Sequence, residues 1–181
     1  MRILLTGAGG PAAIGVARSL RHHRVVGMDR DRYALRFAET DARYVSPSVS
    51  DPSYIGFLND LIERERIDLV HAQPDPEVAF LSEHREEVAA RTFLPRRETV
   101  RDCQDKYACY KVLAMAGVPV PKTHALPSEV RLNKAWDLLM PGTGKMWVRA
   151  STGAAGRGAY LALAGKYDQV RAWIESQDGW G

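Results

Sequence analysis

Along the first 95 positions, short apolar runs bounded by glycine, proline and charge alternate with stretches whose apolar residues recur at helical spacing. The run at 2–6 (RILLT) is closed by glycines, which is the pattern of a buried strand. Runs at 24–29 (RVVGMD) and 68–72 (DLVHA) repeat it, and shorter ones stand at 44–45 and 93–94. Between the first two, Ala13, Ile14, Val16, Ala17 and Leu20 predict a helix over 11–22, with Pro11 in the first turn, where its missing N–H costs nothing. Asp51 and Pro52 form an N-cap and first-turn pair for a helix reaching 66. A third helix is predicted over 76–90. Such alternation predicts a parallel sheet with helices on both faces and right-handed connections.

The texture changes near Pro95. A helix over 105–116 is stopped by Gly117, and Pro119 and Pro121 stiffen the adjoining segment. The pattern then predicts a strand at 122–126, a helix at 129–140, strands at 145–150 and 159–163, and a helix at 167–176. This order is not doubly wound and implies a second, α+β unit. The expected organisation is a Rossmann-like α/β domain over 1–95, a linker and helix over 96–121, and an α+β unit over 122–181. Arg91, Arg96, Arg97 and Arg101 make 91–101 look like a solvated linker.

Composition narrows the function classes. Hydrophobic residues make up 45% and charged residues 26% of 181, ordinary for a soluble globular protein. The net charge of +3 is spread along the chain, which argues against a nucleic-acid partner. No apolar run is long enough to span a bilayer, and the apolar start is too short for a signal peptide, so a cytoplasmic protein without a membrane partner is expected. Cys103 and Cys109 match neither zinc nor redox spacing and are read as reduced thiols. Trp136, Trp147 and Trp173 are read as packing residues, and His71 as a hydrogen-bonded core residue.

Two glycine loops carry candidate chemistry. Gly7, Gly9 and Ala12 fit G-x-G-x-x-G/A, with Gly15 further on and Asp29 at the end of the second strand. A dinucleotide site needs this pattern: glycines admit the pyrophosphate to a helix N-terminus, and the acid holds ribose hydroxyls. The competing reading is a tight strand-to-helix turn with Asp29 capping a strand end. The second loop runs from Arg149 through Ser151, Thr152, Gly153, Gly156, Arg157 and Gly158 between two predicted strands. A small-residue hairpin of this kind can offer N–H groups and hydroxyls to phosphates, with Arg149 adding a forked cation. The G-K-[S/T] ending of a Walker loop is absent.

Together these residues resemble the ATP-grasp superfamily, in its carbamoyl-phosphate-synthase-like branch. Asp105-Lys106, Leu113 and Gly117-Val118-Pro119-Val120-Pro121-Lys122-Thr123 are similar to the family's opening motif of the ATP-binding domain. Met146-Trp147-Val148-Arg149, joined to Ser151-Thr152-Gly153 and Gly156-Arg157-Gly158, is similar to its basic strand and glycine-rich flap. The Rossmann-like domain in front matches the pre-ATP-grasp domain. The resemblance implies that Lys106 and Arg149 contact nucleotide phosphates. It implies that Ser151, Thr152, Gly153, Gly156, Arg157 and Gly158 close over them, and that 122–181 is a partial lid. Ala150 stands where many members carry proline.

The cofactors implied are ATP and Mg2+, with the metal's ligands expected outside this chain, since after Gly158 only Asp168, Glu175 and Asp178 are acidic. The chain is therefore expected to be an inactive front portion of an ATP-dependent carboxylate–amine ligase. Its expected substrate is a small carboxylate or bicarbonate, and its partner is a second copy or a chain completing the domain. The competing functions are an NAD(P)-dependent oxidoreductase and a non-catalytic nucleotide-binding or regulatory module.

Overall fold

A computed structural model describes residues 1–153, 158–177 and 180. The chain divides into two compact units, Met1–Arg101 and Asp102–Gly181.

The first unit is a five-stranded, all-parallel sheet. Its strands are β1 (Arg2–Thr6), β2 (Arg24–Asp29), β3 (Ala42–Val45), β4 (Leu69–His71) and β5 (Arg91–Thr92), in the order β3-β2-β1-β4-β5. Leu4 pairs with Val26 on one side and Val70 on the other, so β1 is central and its apolar run is buried on both faces. The strand order reverses direction between β1 and β4, which makes their carboxyl ends the switch point of the sheet.

Helices α1 (Pro11–Ser19), α2 (Tyr54–Glu65) and α3 (Asp75–Glu83) cover the sheet. On one side Ala13 and Ala17 of α1, one turn apart, pack with Leu5, Val25 and Leu35. On the other, Leu58, Leu61 and Ile62 of α2 and Leu81 of α3 pack with Leu4, Val26, Met28 and Val70. Each fully buried aliphatic side chain contributes about 1.5–3 kcal/mol. The α/β doubly covered sheet expected from the sequence is present.

Three local expectations are corrected. The last strand lies at Arg91–Thr92, not 93–94, although the Phe93 N–H still donates to the Val70 carbonyl. The third helix ends at Glu83, and Arg85–Glu87 continues as a short 3-10 turn. The arginine-rich segment is folded rather than a solvated linker: α4 (Arg97–Gln104) begins there and buries Val100. Arg97 donates to the Ser82 and Glu83 carbonyls and pairs with Glu86, while Arg101 makes a bidentate pair with Glu83. These guanidiniums satisfy the carbonyls left over at the end of α3.

The second unit contains α5 (Lys106–Met115), α6 (Glu129–Leu139), the antiparallel pair β6 (Lys145–Arg149) and β7 (Ala159–Leu163), and α7 (Tyr167–Glu175). Its core joins Leu132, Met140, Met146, Val148, Ala162, Val170 and Ile174, against which Trp136 and Trp173 pack as expected. Residues 122–126 form no strand: Pro121 removes a donor and no neighbouring strand is offered, so only Leu126 of this segment reaches the core. In α5 no residue is buried, and the helix is fixed instead by Asp105, whose carboxylate accepts from the Tyr107 and Ala108 N–H groups.

Candidate functional site

The site implied by the sequence is built in the second unit on the hairpin β6–β7. Strand alternation turns Met146 and Val148 inward and leaves Lys145, Trp147 and Arg149 on the opposite, exposed face. The register puts Leu161 across from Trp147 and Ala159 across from Arg149. Trp147 is 70% exposed, so it does not pack in the core as expected. Its ring forms an apolar face with Leu161 and Leu163, which are also exposed. Arg149 lies two residues further on the same face and pairs with no carboxylate among the described residues.

Beyond Arg149 the hairpin narrows, with the Ala150 N–H donating to the Gly158 carbonyl at 2.7 Å. Gly153 and Gly158 both take left-handed backbone, at φ 94° and 65°, which their neighbours could adopt only with strain. Lys106, at the start of α5, reaches this loop. Its Nζ donates to the carbonyls of Gly153 (2.7 Å) and Ser151 (3.2 Å), and its backbone N–H also donates to Ser151. Of the eight residues assigned to the nucleotide, Lys106, Ser151 and Gly153 are thus in direct contact, while Arg149, Thr152 and Gly158 stand along the same hairpin. Gly156 and Arg157 lie outside the described residues. Among the described residues no group of three histidine, cysteine, aspartate or glutamate side chains could hold a metal ion. The described residues of the hairpin and of the start of α5 present cationic side chains, hydroxyls and N–H groups.

The first glycine loop is occupied by the protein itself. The Gly9 N–H, which a dinucleotide site would turn toward pyrophosphate, donates to Asp29 at 3.0 Å. The second Asp29 oxygen accepts from Asp31. A Cβ on Gly9 would stand 2.3 Å from the Ala34 carbonyl carbon, and one on Gly7 would stand 2.3 Å from the Pro74 ring. Both glycines therefore admit the chain's own backbone and proline ring where the fingerprint would admit a ligand. The tight-turn reading accounts for this loop.

A second polar group on the same sheet edge gave no signal in the sequence. Glu77, in the first turn of α3, is buried, as are Thr6 at the end of β1 and Tyr54 at the start of α2. Burial pushes the Glu77 carboxyl above its ordinary value; the Thr6 hydroxyl opposes this, Asp29 adds to it, and Arg30 and the Tyr54 hydroxyl oppose it more weakly. A folded-state value raised above that of the unfolded chain means stability present below pH 4.5 and lost as pH rises through the folded value. Glu77→Gln should therefore remove a downward slope in the stability of the first unit above pH 4.5, measured as urea midpoints against pH. A slope identical in the variant would refute the assignment.

No helix among the described residues is long and apolar enough to cross a membrane. Residues 3–93 match the family model described as PylC-like, N-terminal domain. No curated protein sequence matches the chain. Solved structures do. The N5-carboxyaminoimidazole synthetase of Staphylococcus aureus complexed with ADP aligns with a TM-score of 0.71 at 18% identity, over 97% of this chain and 45% of that one. The L-amino acid ligase of Bacillus licheniformis gives 0.64 at 14% identity, over 98% and 42%. The biotin carboxylase domain of the Hydrogenobacter thermophilus 2-oxoglutarate carboxylase, in complex with MgADP, ADP and bicarbonate, gives 0.62 at 16% identity, over 97% and 41%. This chain spans less than half of each, and at such identities the likeness is one of fold. The chain therefore belongs to the family with a PylC-like N-terminal domain, and its fold is that of the N-terminal portion of ATP-grasp enzymes.

Proposed function

We propose that this chain is the ATP-binding N-terminal portion of a cytoplasmic carboxylate–amine ligase of the carbamoyl-phosphate-synthase-like kind. In this reading residues 1–95 are the pre-ATP-grasp domain, 96–121 lead into the ATP-binding domain, and 122–181 are part of its lid. The observation that carries it is the Lys106 ammonium on the Ser151 and Gly153 carbonyls, which joins two motifs 45 and 47 positions apart. A lysine has three donors, so one remains for a phosphate oxygen, and an incoming phosphate can exchange with the weaker of the two carbonyls.

Arg149 supplies a second, forked cation on the exposed hairpin face, and Trp147 two residues away offers a ring on which a base can stack. Together they neutralise phosphate charge and fix the base, while the N–H groups and hydroxyls of Ser151 and Thr152 stand beside them. Magnesium, when bound with the nucleotide, would offset phosphate charge. In this reading residues 1–181 by themselves bind nucleotide without turnover. The substrate is a small carboxylate or bicarbonate, activated as an acyl phosphate that an amine attacks.

The test is a titration of the chain with MgATP, with NAD and NADP in parallel. Saturable ATP binding is expected, weakened about tenfold or more in Arg149→Ala, the loss of one charge-assisted contact. Trp147→Ala should weaken it while leaving the urea midpoint unchanged, because the ring is exposed. Binding of NAD in place of ATP, lost on changing Asp29, would overturn the reading.

A further inference from the structure

Asn133, Trp136 and Asp137 stand three and four positions apart on α6, so they share one face of that helix. With Tyr167, the first residue of α7, they line an open cleft of about 350 Å³, within the range of about 300–1,000 Å³ found for ligand sites. The cleft lies wholly in the second unit, and none of these four residues belongs to the hairpin.

Two walls of the cleft are aromatic. The Trp136 and Tyr167 rings meet at 79° with centroids 5.2 Å apart, and both are half-buried against the core that holds Leu132 and Val170. The Tyr167 hydroxyl donates to Asn133 Oδ1, which ties the start of α7 to α6 and fixes the corner between the rings. The remaining lining residue is a carboxylate. Asp137 is exposed and has no ion-pair partner among the described residues. The wider surroundings carry the same sign. Burial and the Glu129 carboxylate hold the Tyr167 hydroxyl above its ordinary value; Arg171 opposes this, and Asp168 and Asp137 add to it. The Arg171 guanidinium is already engaged, 3.2 Å from Glu129 and 3.8 Å from Glu175.

Such a cleft repels anions and suits a cation, because ring faces attract positive charge within about 6 Å of their centroids and Asp137 supplies the counter-charge. The kind of cation follows from the walls. A primary ammonium has three N–H donors, and pressing them against rings costs the bonds they made to water. A fully methylated ammonium has no donor to lose and offers its charge through methyl groups that pack on the rings. We propose that this cleft binds a methylated ammonium head group, with Trp136 and Tyr167 as ring walls and Asp137 as counter-ion. Because the cleft is open, the rest of the ligand extends into solvent. The site stands apart from the ligase reading, which rests on the hairpin and Lys106.

The test titrates the chain with choline chloride at constant ionic strength and follows the indole N–H resonance of Trp136, assigned through Trp136→Phe. The controls are the neutral isostere of choline, with carbon in place of nitrogen, and ethylammonium chloride, which carries N–H donors. Saturable choline binding that moves the Trp136 resonance is expected, about tenfold or more tighter than either control. Asp137→Asn, at an exposed position, should weaken it about two- to fivefold, the range of an exposed charge pair, and should flatten its dependence on salt. Tyr167→Leu should weaken it by a similar factor of about two to five, whereas Tyr167→Phe should retain it, since the ring and not the hydroxyl forms the wall. The Asp137 variant decides the matter if Tyr167→Leu does not fold. Nα-acetyl-trimethyllysine amide, titrated alongside, separates the sources of the head group: tighter binding than choline assigns a modified lysine side chain, weaker binding a free small cation. Absence of saturation, a neutral isostere or ethylammonium that binds as tightly as choline, or saturation that leaves the Trp136 resonance in place would overturn the site. So would an affinity unchanged in both Asp137→Asn and Tyr167→Leu.

Discussion

Replacing Gly9 with alanine should destabilise the first unit by about 3 kcal/mol, the upper range for forcing extra volume into a packed site. The added methyl would stand 2.3 Å from the Ala34 carbonyl carbon, 2.4 Å from its oxygen and 2.6 Å from the Leu35 nitrogen. These are backbone atoms, which cannot swing aside as a flexible side chain can. Leu35 is itself buried against Leu5 and Val25, so moving the segment would open the core beneath it. The displaced Gly9 N–H would also lose its bond to Asp29. Gly15→Ala is the control: it lies within α1, nothing stands within 4 Å of its added methyl, and it should stabilise by up to about 1 kcal/mol through helix propensity. Urea unfolding monitored by circular dichroism measures both. If Gly9→Ala were as mild as Gly15→Ala, the space over the loop would be open, and the dinucleotide reading would regain its footing.

The same loop illustrates how far local pattern reaches. The run at 2–6, the glycines and the helix opened by Pro11 are local features and begin where the pattern predicts them, although the helix ends at Ser19 and not at 22. What fills the space over Gly9 is a turn 25 positions away, which no local pattern encodes. Segment 97–104 carries little helical signal because Val100 is its one buried residue and arginine bonds to the end of α3 hold it. The outward turn of Trp147 is legible in principle: Met146 and Val148 alternate with it, and period two sends it to the other face. The pairing of Lys106 with Ser151 and Gly153 agrees with the family motifs in order, although only folding brings them together. Glu77 and Tyr54 give no signal, since a buried carboxyl is recognised only once its burial is known.

Leu132→Ala should cost the second unit about 2–5 kcal/mol, the range for truncating a fully buried leucine. Leu132 is 0% exposed and sits among Met140, Met146, Val148, Ala162, Val170 and Ile174, joining α6 and α7 to the inner face of the hairpin. A small domain commands only about 5–15 kcal/mol in total, so one truncation removes a large share of it. Leu113→Ala provides the contrast. Leu113 is 38% exposed on α5, which buries no residue, and its truncation should stay within about 0.5 kcal/mol. All four tryptophans, Trp136, Trp147, Trp173 and Trp180, lie in this unit, so tryptophan fluorescence during urea unfolding reports it alone. Because the hairpin carries Trp147 and Arg149 outward only while Met146 and Val148 are held inward, Leu132→Ala should weaken MgATP binding by its share of unfolded protein, without a change in the affinity of the folded fraction. A Leu113 variant as destabilised as the Leu132 variant would show instead that α5 is held by apolar packing, and not by the Asp105 cap and the Lys106 bonds to the loop.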